Sequence, residues 1–528
     1  MGIPHLFRHL AHTYPYAVRV VPPQRTLPHC DALYIDFNGI IHESARDLPS
    51  SHRDDQNVVA ASIDRLDRLV ARLQPRCTLF VAVDGAPPRA KMNQQRARRY
   101  MAAWRHGALT IPQWDTNAIT PGTAFMELLS DALYEWVHSK RLPSDVTVSD
   151  AAQKGEGEQK LFSAIRNSPS SSNSIYVYGL DADLILMAMR CPARDRMYIV
   201  REQAEALQLI DIKKLAEGVA KDMAMPALDS DVDIVGARLR DFAALCALLG
   251  NDFVPALPGL RIREGAVRLL VGAYKRARSC MGNGSRLASD AGPDILGGLD
   301  VRLLGALLRE VALREGELLA AADKRYYQRV RWAASAPAAL LADPEEVYPA
   351  MHPPQFGPDA VRPGDGSAWR LRYYHHVFGG VSNAASVRAT CLQYLCGLGW
   401  TLCYLGDQRC LSEGWCYDMH AHAPTAHDMC NLLMDDGLSR EVEEVMEATH
   451  RAHRDAASAG GPQWPLLMVL PPASANLIRD AALRALITDP RYAHAFPTGF
   501  KLDTYLKDRL WECHPVLPPL FCWPASHG

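Results

Sequence analysis

The chain has 528 residues, of which 48% are hydrophobic and 22% charged, with 57 Lys and Arg against 59 Asp and Glu for a net charge of −2. That length exceeds what one core usually serves, so two or three domains are expected, and near-neutrality confines any nucleic-acid site to a local patch. No apolar run approaches a membrane span, the N-terminus lacks a signal-peptide core, and Leu6 breaks the myristoylation pattern, so an intracellular protein is expected.

Residues 1–30 read as a short amphipathic helix (Leu6, Phe7, Leu10) followed by a Pro-bearing connector. Ala32–Ile35 reads as a strand closed by Asp36, with His42 one to two helical turns later. An amphipathic helix over 57–73 leads to a second apolar strand, Leu79–Val83, closed by Asp84. From Arg89 the composition is helical, and Lys91, Gln95 and Arg98 share one face with Arg99 beside them. Asp84 is the only acid between residues 68 and 114. A carboxylate at a strand end before a basic helix suits a metal beside a phosphate pocket; a solvated basic helix is the plainer alternative.

A helix over 120–138 follows, capped by Thr120 or Thr123, and then a weak strand at Val146–Val148. Gly155-Glu156-Gly157-Glu158 is either a solvated loop or a metal clamp, and Ser168–Ser174 is a low-complexity loop. Ile175–Tyr178 is a strand leading to Asp181 and Asp183, which project together in extended backbone and raise each other's pKa unless a cation intervenes. An apolar helix over 241–249 stops at Gly250-Asn251-Asp252, which a simple C-cap would also explain.

The strand–helix alternation from 32 to 200 predicts an α/β layer with a mainly parallel sheet, in which ligands gather at the carboxyl ends of strands. Asp36, Asp84 and the Asp181/Asp183 pair all fall there. Residues 276–300 read as a linker or inserted loop, 303–331 as a long helix, and 335–368 as Pro-rich and irregular. A second folded region starts at Trp369, with helices at 386–405, near 425–435 and at 438–457. The expected divisions are an N-terminal α/β domain over 1–275, a connection over 276–368 and a helical region over 369–528. The 13 cysteines include no CxxC pair. Cys391, Cys396, Cys403, Cys410 and Cys416, near His420, His422 and His427, lack zinc-module spacing and read as reduced core thiols.

The segments MGIPHLFRHL, YIDFNGIIH, VAVDGAPPRAKMNQQRARRY, ITPGTAFM, GEGEQK, YGLDADLI and LLGNDFVPALPGLRIREGA resemble, in order, the signature segments of the Xrn-type 5′→3′ exoribonucleases. WRLRYYHHVFG, YLCGLGWTLCYL, GWCYDMHAHAP and LMVLPPAS resemble that family's second conserved region. The resemblance implies a PIN-like, flap-endonuclease-like nuclease core with a largely α-helical second region. It implies an acid cluster of Asp36, Asp84, Glu156, Glu158, Asp181, Asp183 and Asp252, serving as catalytic and metal-binding residues for two Mg²⁺ ions, with Mn²⁺ as a substitute.

By the same resemblance Lys91, Gln95, Arg98 and Arg99 hold the 5′-phosphate of single-stranded RNA, while His42 and Trp415 stack on its first base. The product would be a nucleoside 5′-monophosphate. A scaffold that binds RNA 5′ ends without cutting them, and a flap-type DNA nuclease, are the alternatives. Three features depart from the family pattern: Gln159 where His is usual, Lys154 where Pro is usual, and a stretch after Trp415 that is one residue longer. Without a Lys-rich import signal, a cytoplasmic location is expected over a nuclear one.

Overall fold

Along each central strand the side chains alternate between two cores, as the two-residue period of extended chain requires. The computed structural model describes residues 2–519 except 26, 108–113, 169–172, 205, 230–232, 283, 290–295, 297, 342, 359, 364–367, 381–382, 407–412, 419–421, 436, 439, 446 and 449–463. Its main sheet has seven strands: β1 (Val18–Val21), β2 (Ala32–Asp36), β3 (Thr78–Ala82), β4 (Asp145–Ser149), β5 (Ile175–Tyr178), β6 (Met197–Gln203) and β7 (Ala206–Asp211). Their order is β1-β7-β6-β5-β2-β3-β4. The run from β6 to β4 is parallel, whereas β7 and β1 add antiparallel strands at one edge.

Tyr34, Ile175 and Val177 point into one core, and Leu33, Ile35, Tyr176 and Tyr178 into the other. The α/β class and the mainly parallel sheet are those expected. Strands β1, β6 and β7 were not. The β6–β7 turn begins at Ala204, which takes a positive φ of 52° without the Gly or Asn that usually marks such a turn.

Register places the chemistry. Ile35 pairs with Val81 on one side and Tyr178 on the other, so β5, β2 and β3 end level. Ser149 of β4 lies beside Ala82. The residues that leave these strand ends therefore enter one shared space.

The second half is helical, and it packs against the first through a continuous core. The helix Val301–Ser335 is 35 residues long, with Asp300 accepting from the Arg302 and Leu303 amides at its start. The helix Ala384–Tyr404 brings Trp400 against Phe253 (4.5 Å between ring centroids), and Trp415 lies over Trp400 at 5.8 Å. Parts of the 276–300 and 335–368 stretches take on structure. Asp343 caps a helix over Pro344–Met351, and the Leu287 and Ala288 amides each donate at 2.8 Å to buried Asp241.

Cys391, Cys396 and Cys416 are buried free thiols as expected, but Cys403 is disulfide-bonded. Cys410, His420, most of Ser168–Ser174 and the end of the 438–457 helix lie outside the described residues. Among the described residues no helix is long and apolar enough to cross a membrane.

Trp415 is fully buried and its rings fill the space beside the α-carbon of Gly397. Trp415→Ala should therefore cost about 3–5 kcal/mol of stability, the range for removing a large buried ring. Chemical denaturation would read this as a lowered midpoint.

Candidate active site

Each acid reaches the site for a local reason. Asp36 is the last residue of β2, half-buried where the helix Phe37–Asp47 begins. Asp84 lies two residues beyond β3; its amide donates to Asn38 Oδ1 (2.9 Å), and its Oδ1 accepts from the Gly157 amide (2.7 Å). Glu156 and Glu158 flank the start of the helix Gly157–Asn167, and both are buried. Gly157 is wedged between Asp36 and Asp84: a Cβ there would lie 2.8 Å from Asp36 Oδ1 and 3.3 Å from Asp84 Oδ1. Only glycine lets the backbone come this near both carboxylates.

Asp183 begins the helix that follows β5 and is buried. Gly2, at φ +52°, rests its backbone against the Asp183 carboxylate. Asp181 is half-buried in the loop after β5, two residues earlier. Asn251 makes the turn after the apolar helix, its Oδ1 accepting from the amides of Phe253 (2.8 Å) and Val254 (3.1 Å), which leaves the Asp252 carboxylate for another partner.

That partner is Lys91. Its Nζ lies 3.0 Å from both Glu156 Oε1 and Asp252 Oδ2, with only 7% of the side chain exposed. The Phe253 ring centroid is 5.6 Å away. The buried Tyr404 hydroxyl contacts the other Glu156 oxygen, Oε2, and Glu158 Oε1.

The electrostatics follow from burial and crowding. Asp36 is raised well above the usual carboxylate range by burial and then by Asp84 and Glu158. Glu156 is pushed up to about 8 by burial, against the pull of Lys91. Asp183 is pushed up to about 7 by burial and then by Glu158 and Asp252. For Asp252 the upward pull of burial is outweighed by Lys91 and Arg98, so it is lowered. Burial would likewise lower Lys91, but Glu156, Asp252 and Glu158 together raise it well above its usual range. Six of the seven acids are thus linked by contact or by mutual charge; Asp181 adjoins them through the chain.

The basic face splits in use. Lys91 and Gln95 are buried, whereas Arg98 is exposed. Arg99 donates to Thr120 Oγ1 (2.7 Å) and to Gln95 Oε1 (3.1 Å), and burial with Arg98 nearby pushes it down to about 9. Thr123, not Thr120, caps the next helix; Thr120 serves Arg99. His42 is exposed at its surface, and its pKa is pushed down to about 3 by the crowding of surrounding protein and then by Arg98 and Arg99. Trp415 is not brought there: buried beneath Trp400, it presents no open ring face.

Sequence reasoning missed Asn38 and Tyr404. Asn38 follows Asp36 by two in YIDFNGIIH, and a polar residue there among apolar ones was a signal. Tyr404 lies in an apolar helix, and nothing local marks it.

The donor set fits a hard divalent cation. It is all oxygen, and burial and crowding push Asp36, Glu156 and Asp183 upward, a shift that a bound cation would relieve. Among the described residues, no three His, Cys, Asp or Glu stand closed around a single ion position. Lys91 engages Glu156 Oε1 and Asp252 Oδ2, and Tyr404 engages Glu156 Oε2 and Glu158 Oε1.

Residues 1–203 match the family described as the XRN 5′-3′ exonuclease N-terminus, and residues 235–292 match the Xrn1 helical domain. A protein named 5′-3′ exoribonuclease 2 from Arabidopsis thaliana is 27% identical, the match covering 98% of this chain and 66% of that protein. A Drosophila melanogaster homologue of the same name is 26% identical over 98% of this chain and 69% of its own length. A Schizosaccharomyces pombe protein named 5′-3′ exoribonuclease 1 is 32% identical over 53% of this chain, which spans only 24% of it. A Rad2 catalytic core solved with DNA aligns at a TM-score of 0.32 and 14% identity, covering 51% of this chain and 68% of that one.

Glu156 and Asp183 ordinarily titrate near 4.5 and 3.8 but in the fold near 8 and 7. The folded chain then keeps protons that the unfolded chain has lost, so stability without divalent cations should fall as pH rises from about 4 to about 8 and level off above. Mg²⁺ should restore it at the alkaline end. Thermal melts across that range check this; a flat cation-free profile would contradict it.

Proposed function

From the premise that the chain belongs to the XRN 5′-3′ exonuclease family, we propose that it is a 5′→3′ exoribonuclease acting on 5′-monophosphorylated single-stranded RNA. The observation that supports this best is the convergence of six acids, from Asp36 to Asp252, around Lys91, with Arg98, Arg99 and His42 adjoining them.

Each residue then has a task its surroundings allow. Arg98, exposed at the recess, and Arg99, held by Thr120 and Gln95, offer guanidinium donors to a terminal phosphate. His42 gives an open ring for stacking on the first base, a contact indifferent to sequence. Lys91 holds Glu156 and Asp252 in place and neutralises charge between acids and phosphate. Asp36, Asp84, Glu156, Glu158, Asp181, Asp183 and Asp252 would hold two Mg²⁺ ions, which supply Lewis-acid stabilisation and an activated water for phosphodiester hydrolysis. Gripping one end and cutting the first linkage presents a new 5′-phosphate to the same arginines, so cleavage proceeds stepwise.

With Mg²⁺, 5′-monophosphorylated linear RNA should yield nucleoside 5′-monophosphates, and capped RNA should resist. Asp183→Ala should release none while still binding RNA in a filter assay. Arg98→Ala should raise KM for 5′-phosphorylated RNA and leave the weaker affinity for 5′-hydroxyl RNA unchanged. Wild-type protein that binds but never cuts, or that prefers flap DNA, would overturn the proposal.

A further inference from the structure

Tyr404 is the last residue of the helix Ala384–Tyr404, yet its hydroxyl meets the carboxylates of Glu156 and Glu158, 248 and 246 positions earlier. Its backbone carbonyl accepts from Gln159 Nε2 at 2.9 Å. One short segment, 156–159, therefore grips this tyrosine at both ends. The ring is held as firmly: Phe253 meets it edge-on at 4.7 Å, Trp400 stacks on it at 5.4 Å and 17°, and Lys91 Nζ lies 6.0 Å from its centroid. Tyr404 is fully buried, so the hydroxyl cannot swing to water.

A buried phenol needs one acceptor, and a single carboxylate would satisfy it. Here it stands against two, on the Glu156 oxygen that Lys91 does not use. Donors behind a ligating carboxylate fix its orientation, and removing such a donor typically weakens metal binding about 10–100-fold.

We propose that Tyr404 is a positioning residue for the acid cluster: its hydroxyl sets the Glu156 and Glu158 carboxylates in the orientation that receives a divalent cation, so that a helix of the second region governs the cation affinity of the nuclease core. The inference rests on the reading that these acids hold such a cation.

The test is Tyr404→Phe in the full chain, with Mn²⁺ binding measured by calorimetry in the absence of RNA. The variant, folded by near-ultraviolet circular dichroism, should bind Mn²⁺ at least about ten-fold more weakly than wild type. Its kcat should fall with KM for RNA unchanged. A folded variant with wild-type Mn²⁺ affinity overturns the inference, as does one that loses RNA affinity alone. Should Tyr404→Phe not fold, Gln159→Leu, which frees the Tyr404 carbonyl, should weaken Mn²⁺ binding in the same sense, and wild-type affinity there overturns it. Because the titration uses no RNA, a wild type that binds Mn²⁺ but cuts nothing defeats the exonuclease reading and leaves Tyr404's role supported.

Discussion

A buried ammonium ion shared by two carboxylates governs how this site is assembled. Lys91 comes from the basic helix Arg89–Gly107, Glu156 from the loop after β4, and Asp252 from the turn after the helix Ile234–Ala247. An unpaired buried charge costs several kcal/mol, so each of these segments is held by the others' need for a counter-charge. The same lysine reduces the mutual repulsion of acids that the fold has forced together. Asp36, Glu156 and Asp183 nonetheless remain shifted upward, first by burial and then by the neighbouring acids.

The cluster owes its position to sheet geometry. Three neighbouring parallel strands end level, so residues leaving them meet without long loops. Gly157 then allows a fourth segment to press between Asp36 and Asp84, and Gly2 lets the N-terminal segment lie on Asp183. The second region closes the far side. Tyr404 reaches the glutamates, and Arg89 and Asn93 of the basic helix bond the 413–417 loop through the Glu413 carbonyl (2.9 Å) and the Tyr417 carbonyl (3.3 Å). Neither half of the recess is complete without the other.

Much of this was legible in the sequence where a residue's task is local. Strand-ending aspartates, the one-faced run of Lys91, Gln95 and Arg98, and the helical second region all have short-range signals. What escaped depended on distant partners. Tyr404 is one aromatic among many in an apolar helix, and only folding gives it the glutamates. Trp415 shows the reverse: an aromatic expected at a base proves to be core, because Gly397 opens a slot for it beneath Trp400. Strands β6 and β7 were hidden by a turn whose left-handed residue is alanine.

Anomalous diffraction from crystals of the chain grown with Mn²⁺ tests the central claim most directly. The account expects manganese peaks within the recess bounded by Asp36, Asp84 and Asp183, on the side reached by Arg98. Manganese bound elsewhere, with the Lys91 bridge intact and those carboxylates unliganded, would contradict it.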